Sequence, residues 1–388
     1  MKKVFCLNKI SPIGLQVLPK SYAVSTESIE GADAVMVRSA VMHEMKLPES
    51  VLCVARAGAG VNNIPLPDYA KEGVVVFNTP GANANAVKEL TIAGMLLSAR
   101  DLPGSMEWVK ANHEDKEINK TMEKAKAAFA GTEILGKTLG VIGCGAIGAL
   151  VSEAAAALGM HVLGVEPSKA TIERYKDKFP RDMEFVACDE AYARADYITV
   201  HVPLLDSTKG MINAESMGKM KDGVVILNCS RDALVNDDDM EKALAVGKVK
   251  RYVTDFPNFK TANMKGVIAF SHLGASTDEA EDNCAAMAAK EVVDFIENGN
   301  IVNSVNYPNL DLGKPAGKRA IILHSSSLDG NKIIAHFAES SHVVKSATAV
   351  KGEFAATIVD FEGKDCEKGC FKDIITALPG VIRFRVVN

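Results

Sequence analysis

Thr138-Leu139-Gly140-Val141-Ile142-Gly143-Cys144-Gly145-Ala146-Ile147-Gly148 is the stretch that decides the fold. Its first five residues, Thr138 to Ile142, read as a buried β-strand. They run without a break into Gly-x-Gly-x-x-Gly, and that loop opens an alanine-rich helix, Ala149 to Leu158. Spaced glycines alone are a weak signal, but strand, loop and helix in this order are a strong one. Gly143 permits the tight turn, Gly145 lets a pyrophosphate approach the backbone, and Gly148 lets helix pack closely on strand. The N–H groups of Gly145, Ala146, Ile147 and Gly148 then stand at a helix start, where phosphates bind. The next strand, His161 to Val165, ends at Glu166. A carboxylate there bonds the ribose hydroxyls and repels a 2′-phosphate, so the cofactor expected is NAD. Lys169 close by weakens the discrimination against NADP.

Strands are expected on from this point at Tyr197–His201, Val224–Asn228, Arg251–Thr254 and Val267–Phe270, with helices between most of them. Six strands in all match a doubly wound parallel Rossmann sheet. Upstream, Val4–Leu7, Ala34–Val37, Cys53–Ala55 and Val74–Phe77 alternate with turn and helical segments, which predicts a second parallel sheet. A helix is expected at Ala86–Ser98, a Lys/Glu-rich surface helix over Trp108–Ala130, and a further helix at Thr277–Glu297. Asn306–Gly317, with two prolines and two glycines, reads as a linker. The remainder, Arg319–His324, Lys332–Glu339, Val343–Val350, Ala355–Phe361, Cys370–Leu378 and Val381–Val387, reads β-α-β-β-α-β, a small ferredoxin-like α+β module.

The chain has 388 residues, enough for two or three domains. Its net charge of −5 argues against a nucleic-acid or acidic-membrane partner. No apolar run approaches the roughly 20 residues that span a bilayer. Met1–Leu7 reads as a first strand rather than a signal peptide, and a cytoplasmic location is expected. Eight cysteines are scattered without CxxC or zinc spacing. Cys366 and Cys370 stand four apart with no His or Cys partner nearby. Reduced thiols and no metal are the expectation.

Three strand ends of the second sheet carry ionisable residues. Asn228-Cys229-Ser230-Arg231 follows one strand, Asp255 ends the next, and Ser271-His272-Leu273-Gly274 follows the last. Ligands of open α/β sheets bind at the carboxyl ends of strands, so Arg231, Asp255 and His272 should converge beside the nicotinamide. Removing hydride from an alcohol requires a base for the hydroxyl proton, and histidine titrates in the useful range. A 2-hydroxy acid also has a carboxylate, which arginine grips with a planar fork. Singly, each residue has a plain structural explanation: an ion pair, a helix cap, a loop histidine. The three together, beside a dinucleotide loop, favour chemistry.

These motifs resemble the D-2-hydroxyacid dehydrogenase family. The resemblance is carried by Arg56-Ala57-Gly58-Ala59-Gly60-Val61-Asn62-Asn63-Ile64, Asn78-Thr79-Pro80-Gly81-Ala82-Asn83, Gly136–Gly143, His201-Val202-Pro203-Leu204, Leu227–Arg231, His272-Leu273-Gly274-Ala275-Ser276-Thr277 and Asn303-Ser304-Val305-Asn306. Ala377-Leu378-Pro379-Gly380-Val381 resembles the end of an ACT domain. The resemblance implies a flavodoxin-like, discontinuous substrate-binding domain (1–95 with 285–310), an NAD-binding Rossmann domain (96–284) and an ACT-like regulatory domain (318–388). The helices Ala86–Ser98 and Thr277–Glu297 would be hinges. It implies Arg231 as carboxylate binder, His272 as acid/base, and Val202, Pro203, Cys229, Ser230, Asp255 and Gly274 lining the cofactor with Gly143–Gly148 and Glu166. Arg56, Ala57, Gly58, Ala59 and Asn83 would meet a small-molecule substrate, the Arg56–Val61 loop through its backbone N–H groups. The tail points to the branch acting on 3-phosphoglycerate, whose phosphate needs a cation; Arg38, Lys88 and Arg56 are the candidates. At least a homodimer is implied.

The sequence departs from the family where a glutamate commonly orients the histidine. Here the run is Asp255-Phe256-Pro257-Asn258-Phe259-Lys260, with no carboxylate between Asp255 and His272. Asp255 orients the histidine itself, Lys260 or Lys265 takes part, or the histidine works without a partner; the first is favoured. Asp232-Ala233 stands where Gly-Gly is common, and the tail lacks the turn that commonly helps bind serine. The competing readings are a dehydrogenase of glycerate, lactate or a similar acid, and a non-catalytic NAD sensor.

Overall fold

The computed structural model describes residues 1–339, 341–363 and 370–387, with backbone alone for 370–372. Cys366 lies outside the described residues, as does the side chain of Cys370. Two compact units divide the chain: Met1–Asn83 with Asp278–Asn388, and Ala84–Thr277.

The first unit holds a five-stranded parallel sheet of β1 (Lys2–Cys6), β2 (Tyr22–Ser25), β3 (Ala34–Val37), β4 (Cys53–Arg56) and β5 (Val75–Asn78). Its order, β2-β1-β3-β4-β5, is flavodoxin-like. Four of these strands match the expected ones; the edge strand β2 was not expected. Its pattern, Tyr-Ala-Val-Ser, is short and half exposed, so it lacks the continuous apolar run of β3, which is buried throughout. The helix Asp278–Asn298 belongs to this unit and buries Ala285, Ala288, Val292, Phe295 and Ile296 against the sheet core.

The second unit holds seven parallel strands: β6 (Thr138–Ile142), β7 (His161–Val165), β8 (Glu184–Phe185), β9 (Tyr197–Val200), β10 (Val224–Asn228), β11 (Val249–Thr254) and β12 (Val267–Ala269). The order β12-β11-β10-β9-β6-β7-β8 reverses between β6 and β9, the doubly wound arrangement. The seventh strand, β8, is two residues long and exposed, too short for a sequence pattern. The helix Ala84–Ala99 lies wholly in this unit. The single helix expected over Trp108–Ala130 is broken: Leu102–Ala111 and Ile118–Ala125 are α-helical, and Lys126–Phe129 is a 3-10 turn. Neither α-helix has a buried residue, so no packing face sustains one continuous helix across the break.

Four antiparallel strands complete the first unit: β13 (Lys318–Ser325), β14 (His342–Lys351), β15 (Phe354–Glu362) and β16 (Val381–Val387), in the order β14-β15-β13-β16. With the helices Gly330–Ala338 and Cys370–Thr376 they form the expected β-α-β-β-α-β plait. Ala320, Ile322, Val359 and Phe361 pack beneath the helices. Leu323, Ala356 and Ile358 instead join the core built by β1, β3–β5 and the helix Asp278–Asn298.

The linker expectation over Asn306–Gly317 is therefore corrected in its first half. Tyr307, Leu310 and Leu312 are buried, the Tyr307 hydroxyl donates to Ala70 O at 2.6 Å, and Asn306 bridges Val74 O and Val76 N. Proline and glycine mark irregular backbone, which here is tied into a core. Arg319 fastens the plait: fully buried, it is forked onto Asp360 at 2.5 and 2.8 Å and donates to the carbonyls of Asn298 and Gly313.

Candidate active site

The glycine loop leaves β6 as the sequence requires. Gly143 has φ +90°, a left-handed conformation that L side chains rarely adopt, and a Cβ there would stand 2.6 Å from His201 O. A Cβ on Gly148 would meet Gly143 O at 2.0 Å, so the third glycine is fixed by helix packing. Gly145 differs: a Cβ there meets nothing within 4 Å. Among the described residues, nothing fills the space that its missing side chain opens. Gly145 caps the helix Ala146–Ala157, whose first turn has neither a side-chain cap nor an acidic residue. The N–H groups and the dipole of a twelve-residue helix are thus left for an anion, which fits a dinucleotide pyrophosphate.

Glu166 ends β7 beside that loop. Its carboxylate accepts the N–H groups of Cys144 at 3.1 Å and Ser168 at 3.0 Å. The thiol of Cys144, packed below, is pushed up to about 12 by burial, and that of Cys229 likewise. Neither is a nucleophile at neutral pH. Val202 stands 2.8 Å from the position of a Gly143 Cβ, and Ser230 donates to Val200 O at 2.7 Å. These contacts join the ends of β6, β9 and β10 into one rim. His201, at the end of β9, bonds Thr199 through Nε2 at 2.9 Å, and burial lowers its pKa to about 4. It stays neutral at physiological pH.

Arg231 is presented by a turn built on Asn228. The buried Asn228 amide accepts from Ser230 N at 3.2 Å and from Arg231 N at 3.3 Å, and donates to Arg231 O at 2.7 Å. Arg231 is half-buried, and among the described residues its guanidinium has no carboxylate in salt-bridge range. Asp232 turns its carboxylate onto Ala233 N at 2.8 Å. The charge that replaces the usual glycine thus caps its own 3-10 turn.

Asp255 is 1% exposed at the end of β11, with Oδ1 lacking a hydrogen-bond partner among the described residues. Burial raises its pKa, while His272, the Gly274 N–H and Arg231 act in the opposite direction. All three candidate catalytic groups therefore share one electrostatic environment. His272 itself is exposed. Phe256 lies against it with ring centroids 4.3 Å apart, and the Arg231 Cζ sits 5.5 Å from the same ring centroid. This contact was missed in the sequence. Its available signal was an aromatic residue directly after a strand-end aspartate.

Lys260 is placed elsewhere. Its ammonium pairs with Asp238 and, at 3.0 Å, with Glu241 on the helix Asp237–Ala245. Of the alternatives for the missing glutamate, the geometry brings Asp255, not Lys260, into the field of His272.

In the first unit, the N–H of Ala57 is spent on Val37 O and that of Gly58 on Arg56 O, both at 2.8 Å. The loop therefore has fewer free donors than expected: the N–H groups of Ala57 and Gly58 are withdrawn, while those of Ala59–Val61 meet no backbone acceptor among the described residues. Gly58 is favoured by its backbone, whose φ of +152° is a conformation that L side chains rarely adopt. The Asn78 amide holds Ala59 O at 2.6 Å. Asn83 is half-buried at the end of this unit's first segment. Arg38 is paired with Glu281 at 2.6 Å. Lys88 belongs to the second unit and lies 3.6 Å from Glu89. No cluster of three or more metal-ligating side chains occurs among the described residues, and no helix among them is long and apolar enough to cross a membrane.

Residues 92–274 match the family model of the D-isomer specific 2-hydroxyacid dehydrogenase NAD binding domain. The chain is 34% identical over 326 residues to D-3-phosphoglycerate dehydrogenase of Bacillus subtilis, covering 79% of this chain and 59% of that protein. It is 31% identical over 362 residues to D-3-phosphoglycerate dehydrogenase of Methanocaldococcus jannaschii, covering 90% of this chain and 66% of that one. It thus spans less than two thirds of the length of these two relatives. Hydroxypyruvate reductase of Thermotoga maritima is 34% identical over 265 residues, which cover 65% of this chain and 81% of that protein. Among solved structures, NAD+-bound 3-phosphoglycerate dehydrogenase of Entamoeba histolytica superposes with a TM-score of 0.61 at 26% identity, covering 80% of this chain and 99% of that one.

Proposed function

This chain belongs to the D-isomer specific 2-hydroxyacid dehydrogenases, and on that premise we propose that it oxidises D-3-phosphoglycerate to 3-phosphohydroxypyruvate with NAD, opening serine biosynthesis. The observation that carries the reading is the shared environment of Arg231, Asp255 and His272 at successive strand ends, on the rim that also holds the glycine loop. NAD, when bound, supplies the hydride acceptor. Gly143–Gly148 would hold its pyrophosphate, and Glu166 its ribose. Val202, Pro203, Cys229, Ser230 and Gly274 would line the nicotinamide end.

His272 takes the hydroxyl proton during oxidation and returns it in the reverse direction. Arg231 grips the substrate carboxylate and polarises the forming carbonyl. Asp255, bonded by the Gly274 N–H, is the carboxylate that shares the environment of His272 and Arg231. The substrate-binding role goes to the unit of the first sheet, with Ala59 and Asn83 facing substrate. Arg56, Arg38 and Lys88 are the cations proposed for the phosphate, Arg38 being paired with Glu281. The C-terminal plait is assigned as an ACT-like module that serves assembly or binds an amino acid other than serine. The working form is a cytoplasmic homodimer or larger.

The relatives named phosphoglycerate dehydrogenase support the phosphorylated substrate; the hydroxypyruvate reductase supports an unphosphorylated one. Initial rates of NADH oxidation with 3-phosphohydroxypyruvate, hydroxypyruvate, glyoxylate and pyruvate separate these. The expected result is the highest kcat/KM for the phosphorylated acid, abolished in His272→Ala with NADH binding retained. A preference for hydroxypyruvate overturns the substrate. No turnover of any 2-oxo acid by a chain that binds NADH turns the reading into an NAD sensor.

A further inference from the structure

We propose that Phe256 is the positioning residue of the catalytic pair, its ring holding the His272 imidazole and the Arg231 guanidinium in place where the family commonly uses a glutamate. The inference rests on the dehydrogenase reading above. The imidazole lies 4.3 Å from the Phe256 ring, tilted by 42°, and the guanidinium carbon lies 5.5 Å from the same ring. One aromatic side chain therefore touches both groups that must meet the substrate, one at its hydroxyl and the other at its carboxylate.

The ring is itself held. Phe256 is half-buried, its N–H donates to Thr254 Oγ1 at 3.1 Å, and it directly follows the buried Asp255. The loop beyond is pinned by Asn258, which donates to Asp237 Oδ2 at 2.7 Å, and by Lys260 on Asp238 and Glu241. A loop fastened at both ends gives the ring one orientation. Imidazole and guanidinium are flat and pack on an aromatic ring, and each gains from its negative π-face when charged. A glutamate would act on the imidazole alone. A phenyl ring restrains both partners at once, and it leaves charge compensation to Asp255. The charged groups in this environment are Asp255 and Arg231, from the ends of β11 and β10.

The test uses Phe256→Leu, which keeps apolar bulk but removes the flat ring, with Phe256→Ala and Phe256→Tyr beside it. Steady-state kinetics with 3-phosphohydroxypyruvate and NADH should show kcat lower by on the order of tenfold in both Leu and Ala variants. KM for the oxo acid should rise, because Arg231 loses its seat, while the dissociation constant of NADH stays within about twofold. The Tyr variant, which keeps the ring, should recover most of the loss. Leu behaving like the native protein would reduce Phe256 to filler and overturn the proposal. Proton NMR of His272, assigned by loss of its signal in His272→Ala, gives a readout that needs no turnover. The ring-current displacement of the imidazole signal should vanish in Phe256→Leu. If the native chain reduces no 2-oxo acid, the dehydrogenase reading fails and the NMR alone decides the contact; an unmoved His272 signal overturns it.

Discussion

The carboxylate of Glu166 closes onto the glycine loop by accepting the Cys144 N–H at 3.1 Å. The residue proposed to select the adenosine ribose thus also holds the glycine loop in shape. Glu166→Ala removes both effects. NADH affinity should fall about tenfold, the worth of one charge-assisted hydrogen bond. Affinity for NADPH should fall less, since the carboxylate that repels a 2′-phosphate is gone. Fluorescence titration with both cofactors measures the ratio, and an unchanged ratio removes Glu166 from the selection.

The outer two glycines of the loop and the middle one should separate by experiment. Gly145→Ala places a methyl where the described residues have no atom within 4 Å, so thermal stability should hold while NADH binding weakens. Gly148→Ala drives a methyl to 2.0 Å from Gly143 O, a backbone clash expected to cost about 2 kcal/mol or more of stability. Thermal melts paired with NADH titration distinguish the two; equal loss of stability in both would contradict the open space at Gly145.

Lys260 is engaged by Asp238 and Glu241 on the helix Asp237–Ala245. Lys260→Ala should therefore leave the pH dependence of kcat/KM in place. Asp255→Asn removes the carboxylate that shares an environment with His272, Arg231 and the Gly274 N–H, so kcat/KM should fall in that variant while Lys260→Ala stays near the native value. A shifted profile in Lys260→Ala would return the lysine to the site.

Glu291 is 8% exposed, accepts one hydrogen bond from Asn303 Nδ2 at 2.8 Å, and has its pKa pushed up to about 8 by burial. The folded chain holds this proton more tightly than the unfolded chain. Its contribution is therefore fully favourable below about pH 4.5, declines as pH rises, and levels off above about pH 8. Ionisation at the upper end should cost on the order of a few kcal/mol. Glu291→Gln, uncharged throughout, should lose less stability between pH 6 and pH 9 than the native chain in calorimetric melts. Parallel losses in the two proteins would show the carboxyl to be solvated.

Arg319 and Asp360 are both fully buried and form a fork of two hydrogen bonds. Arg319→Met leaves Asp360 without its cation and should cost about 3–5 kcal/mol in denaturant unfolding of the full chain. Adding Asp360→Leu should recover much of that loss, since the uncompensated charge is then removed. A double variant as unstable as the single one would mean that Arg319 matters through Asn298 O and Gly313 O instead.

The sequence by itself determined what local pattern can determine. The strand, glycine loop and helix at 138–157 announce the doubly wound sheet, because the turn, the phosphate approach and the helix packing each constrain a single position. The β-α-β-β-α-β order of the tail was legible for the same reason: alternation and helical period are properties of short windows. The short edge strands β2 and β8 were not, since two to four half-exposed residues have no period to read. Tertiary structure alone decided which distant side chains meet. It sent Lys260 to the acidic helix, neutralised Arg38 with Glu281, drew Tyr307 and Leu312 into a core from a segment that looked like a linker, and laid Phe256 beside both His272 and Arg231. The physical reason is the same in each case: charge pairing, burial and ring packing depend on separations in space between segments far apart in the chain, and those exist only once the sheets have formed.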